Sequence, residues 1–215
     1  MSLYDLTFTK VKDTSGKLAD PTDYDGAIAE AMHRYSRHRP RLQCADLSGS
    51  GTADIDLPTD WCPGLSEIVS IEYPVGNVPE TLLESSDWKY YRTPDAVKLR
   101  MLAATPTLGA TVRVLYSVMH DEDSLPETDL ECIANLAAAF CLRQLAAAFG
   151  QTNDPTIGAD VVNYRSKVDE FRRLAESYEE LYNQHLGLKK NDTQPAVSVV
   201  AGAPDDGRVR LTHRR

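Results

Sequence analysis

Between residues 22 and 39 apolar side chains recur at Tyr24, Ile28, Ala31, Met32 and Tyr35, the three-and-four spacing of a helix that buries one face. Thr22 reads as its N-cap, the aspartates behind it suit the positive end of the helix dipole, and Pro40 stops it. From Leu42 to Val118 the texture changes to short alternating segments, ADIDLP, EIVSIEYPV, WKYYRTP, VKLRMLAA and TVRVLYSVM, separated by Pro, Gly, Asn and Ser. That pattern predicts a small antiparallel sandwich or barrel, with Val112, Val114, Tyr116 and Val118 on its inward face.

Helical signals return after Met119. Ser124 and Glu127 have capping-box spacing, Pro126 suits a first turn, and the helix that follows is apolar nearly all round up to Phe149, with Gly150 as its stop. A last helix carries Val161, Tyr164, Val168, Phe171, Ala175, Tyr178, Tyr182 and His185 in steps of three and four, a heptad-like seam that Leu174, Leu181 and Leu188 widen. Such a seam suits one long apolar helix or a neighbouring subunit. Beyond it no helical period survives, and prolines at 195 and 204 lead to the basic-apolar end RVRLTHRR. The fold expected is α+β: residues 1–41 and 120–190 form an α-helical bundle, 42–119 an inserted β-domain, and 191–215 an extended C-terminal arm.

Charge sharpens this picture. The chain of 215 residues has a formal net charge of −9, which argues against a protein that grips phosphate backbones, because that grip comes from lysine and arginine. Within this acidic chain MHRYSRHRPRL, residues 32–42, holds four arginines and two histidines. Part of it is explained locally: Glu30 and Arg34 are spaced i, i+4, and the later arginines oppose the negative end of the helix dipole. Cysteines at 44, 62, 132 and 141 make no C-x-x-C, so free thiols in a reducing cytosol are expected. The N-terminal MSLYDLTFTKVK lacks the features of a signal peptide, and the uncharged run CIANLAAAFCL is short of the about 20 residues a membrane span needs. Neither export nor a membrane partner is expected.

The search for chemistry yields little. There is no phosphate loop, no dinucleotide fingerprint and no nucleophile elbow, and SGSGTAD reads as a loop between strands. The histidines at 33, 38, 120, 185 and 213 form no metal-ligand spacing; His120 with Asp121, Glu122 and Asp123 reads as a solvated turn feeding a capped helix. No catalytic residue, metal or cofactor is expected. Trp61, Trp88, Tyr90 and Tyr91 read as strand-face and core residues, although a carbohydrate- or protein-binding module acting through these aromatics is an alternative, and a hydrolase built on His120 a third.

Three stretches, DYDGAIAEAMHRYSRHRPR from Asp23, IDLPTDWCPGLSEIVSIEYPVGNVP from Ile55 and TVRVLYSVMHD from Thr111, resemble the head-to-tail connector (adaptor) proteins of tailed bacteriophages. They cover about a quarter of the chain, and simpler adaptors lack the β-domain. The resemblance implies a dodecameric ring assembled in the host cytoplasm and placed in the virion neck at the portal vertex. Its partners would be the portal ring, neighbouring copies, a downstream tail or neck protein, and DNA sliding through the lumen without sequence-specific binding. The arm would dock on the portal through Arg208, Val209, Arg210, Leu211, His213, Arg214 and Arg215. Arg37, Arg39 and Arg41, with Phe171, Tyr178 and Tyr182 of the seam, would make intersubunit or interdomain contacts.

Overall fold

The computed structural model describes residues 2–151 and 160–188, with side chains described for all of these but 160–166. The arm residues Arg208 to Arg215, and the seam side chains Val161 and Tyr164, therefore lie outside the described residues. What is described is α+β, four helices and two three-stranded antiparallel sheets.

The first helix, α1 (Leu3–Val11), lies within the stretch expected to be helical, residues 1–41, ahead of the one helix delimited there. Ser2 accepts from the Asp5 amide while Asp5 accepts from the Ser2 amide, and Leu3, Thr7 and Val11 are buried. This reciprocal cap satisfies two donors that a short helix otherwise leaves to water. The second helix, α2 (Thr22–His38), ends ahead of Pro40 as its sequence dictates. Its N-cap is Pro21 rather than Thr22, with no side-chain cap; instead the Asp23 carboxylate turns back to accept from the Ala19 amide at 2.7 Å.

The chain then enters the sheets: β1 (Arg41–Ser48), β2 (Asp54–Asp56), β3 (Ile68–Glu72), β4 (Trp88–Arg92), β5 (Val97–Met101) and β6 (Thr111–Val118). One sheet has the order β1-β6-β3 and the other β2-β5-β4, every pairing antiparallel. Ile71, Val112, Val114, Tyr116 and Val118 from the first share one core with Ile55, Leu99 and Met101 from the second. The alternation in β6 is obeyed, and it is this shared core that makes two small sheets a sandwich. At the end remote from the bundle, the turn after β1 runs so close to residues 106–110 that a Cβ at Gly49 would stand 2.5 Å from the Thr107 carbonyl oxygen. Only glycine fits there.

A 3-10 turn (Glu122–Ser124) leads back to the bundle. The capping box belongs to this turn, between Asp121 and Ser124, one step earlier than Ser124 and Glu127, because the 3-10 turn intervenes before α3 (Glu127–Gln151) begins. Gly150 lies inside α3 rather than ending it. This helix is the core of the bundle: Ala134, Leu136, Ala137, Ala138, Ala139, Cys141 and Leu142 have no exposure at all, which alanines allow by letting neighbours approach closely. By length and composition α3 would span a membrane, but its apolar surface is covered by α1, α2 and α4 (Asp160–Leu186). Along α4, Ala175 and Tyr182 are fully packed and Val168, Phe171 and Tyr178 partly so, whereas Leu174 and Leu181 are 40% and 46% exposed. The two leucines therefore do not widen the seam within one chain.

Candidate interaction site at the junction of bundle and sheets

Both connections between the domains pass through one place. α2 hands over to β1 at residues 39–40, β6 returns at residues 119–121, and Arg41 pairs with Val118 across the gap. At this junction the Asp129 carboxylate, on the first turn of α3, is almost wholly buried and accepts from three side chains carried by α2, its C-cap and α4. The Tyr35 hydroxyl donates to Oδ2 at 2.5 Å, Arg39 Nη1 to the same oxygen at 2.6 Å, and His185 Nε2 to Oδ1 at 2.8 Å. A carboxylate only accepts, so His185 must carry its proton on Nε2 here. Burial by itself would raise the Asp129 pKa; the hydrogen bonds from Tyr35, His185 and Arg39, with the Arg39 charge, outweigh it and hold the carboxyl well below the usual carboxylate range. Burial and the same carboxylate push the Tyr35 phenol up, keeping it a donor.

Around this centre the contacts continue. The His120 amide donates to Ser36 Oγ at 3.0 Å, and its ring sits 3.0 Å from the Arg39 carbonyl and 3.3 Å from Ser124 Oγ. His120 is buried, not part of a solvated turn, because the returning strand tucks it against the last turn of α2. His38 Nδ1 lies 2.7 Å from the Tyr182 hydroxyl; burial, then the nearby Arg34 charge, lowers the His38 pKa and favours the neutral ring. Further along, Glu179 joins α2 and α3 to α4 by accepting from Arg34 at 2.7 Å and from Arg143.

Of the three arginines expected at contacts, Arg39 is bound to Asp129 and Arg41 approaches Asp121 at 3.5 Å, both within one chain. Arg37 is exposed on α2. Phe171 stacks on Phe149 with centroids 5.4 Å apart, Lys10 lies over the Tyr178 ring, and Tyr182 is completely buried. Asp129 and His185 are the residues that sequence reasoning did not bring together. The available signal was a carboxylate in line with Cys132, Ile133 and Leu136 on a helix face otherwise apolar.

The aromatic side chains of the sheets contact one another; Trp61 and Trp88 pack partly against the sheet core, while Tyr90 is 44% exposed. Trp61 lies 5.7 Å from Tyr90 and 6.2 Å from Tyr116, Trp88 meets Tyr90 edge-on, and the Tyr90 hydroxyl accepts from the Ile68 amide. Tyr91 carries the Arg100 guanidinium on its face at 3.3 Å. Among the described residues no three His, Cys, Asp or Glu are grouped to hold a metal. Burial pushes the Cys132 and Cys141 thiols up to about 12, so they pack as apolar groups.

No family model and no curated protein matches this chain. Among solved structures it is similar to a chain in the neck of an empty GTA particle computed with C6 symmetry, at 12% identity and a TM-score of 0.31, covering 80% of this chain and 88% of that one. It is also similar to a chain in the neck of the native GTA particle computed with C12 symmetry, at 15% identity and a TM-score of 0.28, covering 78% and 88%.

Proposed function

We propose that this chain is a noncatalytic structural adaptor of a phage neck, forming a ring beneath the portal that extends the DNA channel and joins head to tail. The observation that carries the reading is a convergence. The three stretches that resemble adaptors, 23–41, 55–79 and 111–121, are far apart in sequence yet form one contiguous unit. The first is α2 and its exit, the third is β6 and its return, and they meet where Ser36 receives the His120 amide. The second supplies β3, paired to β6 from Ile68 with Tyr116 to Glu72 with Arg113. The reading rests on these residues rather than on either structural likeness.

Physical chemistry is in keeping with it. A net charge of −9 suits a lumen through which DNA slides without sticking. A basic-apolar arm on each copy would bind a portal ring at many points, so effective concentration offsets the entropy of ordering it.

The test is co-sedimentation of the full chain with portal rings of the same phage, beside a chain truncated after Asp206. Binding by the full chain that is lost on truncation is the expected result. Equal binding by both would remove Arg208 to Arg215 from the contact while keeping the adaptor. No binding by either would end the adaptor reading.

A further inference from the structure

The seam of α4 has two flanks, and among the described residues only one is covered by the chain itself. Glu179 faces α2 through Arg34. At about 100° per residue, Leu174 and Leu181 project about 140–160° round the helix from Glu179. They are 40% and 46% exposed and stand seven residues apart, so they form a ridge on the side of α4 turned away from α2. A pair of large apolar residues at heptad spacing on a helix whose core face is already filled calls for a partner helix.

The contacts between α2 and α4 also give a common scale of height. Arg34 pairs with Glu179 and His38 with Tyr182, separations of 145 and 144 positions, so the two helices run parallel in level register. On this scale Leu174 is level with Ala29, and Leu181 lies just short of Arg37. Ala29 and Gly26 are exposed on α2, and nothing lies within 4 Å of a Cβ built on Gly26. Small residues on one helix therefore stand at the height of the ridge on the other.

Charge follows the same scale. The exposed charges of α2 run from acidic, Asp25 and Glu30, to basic, Arg37. On the flank of α4 beside the ridge the order is reversed: Arg173, about 100° from Leu174, stands level with the interval between Asp25 and Glu30, and Glu180, about 120° from Leu174, stands just short of Arg37. Arg172 and Glu176 lie with Glu179 on the opposite face; Glu170, about 40° from Leu174 and level with Asp25, opposes the pattern. In a closed ring whose axis runs along the helices, neighbours are related by a rotation that preserves height, so level complementarity within one chain becomes complementarity between copies.

We infer that the Leu174 and Leu181 ridge of α4 packs on the Gly26 and Ala29 face of α2 in a neighbouring copy. Arg37 then stands at the height of Glu180 on that neighbour's α4. The inference rests on the ring reading above and names the surfaces that make the ring.

Two measurements separate the inference from that reading. Sedimentation of the full chain over a range of concentrations tests self-association. Disulfide trapping tests the contact, using Ala29→Cys with Leu174→Cys in a Cys44→Ser, Cys62→Ser background; the other two cysteines are buried. The expected result is a covalent ladder of dimer and higher multiples from the double variant. A mixture of the two single variants should give a cross-linked dimer, and neither alone should. Leu174→Glu with Leu181→Glu should raise the concentration for half-assembly by about tenfold or more while leaving the circular dichroism spectrum unchanged. Concentration-dependent assembly without the ladder, and indifferent to the double glutamate, overturns this interface and leaves the ring. A chain that neither associates nor cross-links, alone or on portal rings, overturns both.

Discussion

Asp129 and Asp46 each hold an arginine at nearly the same distance, 2.6 Å to Arg39 and 2.7 Å to Arg113. Yet the Asp129 side chain is 2% exposed and that of Asp46 49%. By geometry the Asp46 pair is the better one, since Arg113 engages both carboxylate oxygens and reaches Glu72 as well. Surroundings reverse that order. Water competes for both partners on the sheet surface, whereas the Asp129 carboxylate has exchanged its water for protein donors, Tyr35, Arg39 and His185 with the neighbouring Thr128 hydroxyl. The same chemical pair is thus a surface ornament in one domain and the tie of three helices in the other.

Removing the buried carboxylate should produce the largest effect. Asp129→Ala leaves Tyr35, Arg39 and His185 without their acceptor and should cost about 3 kcal/mol in chemical denaturation; a loss under half of that would erase the contrast with Asp46. Its pH signature has a definite sign. The folded pKa of Asp129 is depressed, so its contribution is complete above the unfolded value near about 3.9 and is lost as pH falls through the lower folded value. Asp129→Asn should accordingly flatten the dependence of stability on pH below about pH 4, measured by urea titration at several pH values.

Next in size is the bundle core. Ala138 has no exposure, and Ala138→Leu adds volume where helices already touch, at a cost of about 1–3 kcal/mol by thermal or denaturant unfolding. Smaller again, Gly49→Ala sets a Cβ against the Thr107 carbonyl and should cost about 1 kcal/mol, with amide shifts in a heteronuclear spectrum confined to the sheets. Asp46→Asn should leave the melting midpoint unchanged within repeatability. A clear drop there would show that the exposed pair is worth more than its surroundings allow.

Legibility followed how far each element depends on its own residues. The period of α2 and the alternation of β6 were plain because a single partner surface selects their apolar faces. The strand β1 was not readable: Leu42 and Cys44 point outward and exposed, while Gln43 points toward the core side, so its pattern is inverted where it begins. The helix α1 is short and amphipathic only in the company of α2 and α3, although Ser2 and Asp5 held the capping-box spacing in view. Asp129 was readable as a residue that suits a helix start; its role as the junction's acceptor depends on Arg39 and His185, 90 and 56 positions away, which no local pattern encodes. Likewise the seam of α4 was visible as a period, but which leucines it left uncovered emerged only from the neighbours of Glu179.

The pairing of Arg41 with Val118 also bears on how such a chain can be reshaped. Paired residues on adjacent strands stand about 5 Å apart, so everything from residue 42 to residue 117 enters and leaves the bundle through a doorway two strands wide. A loop, a shorter hairpin or a different sheet of equal footing would meet the same two ends, where the helices touch it through Ser36, Arg39 and His120. A doorway this narrow is the geometry that would let the outward module be exchanged with little change to the scaffold that carries it.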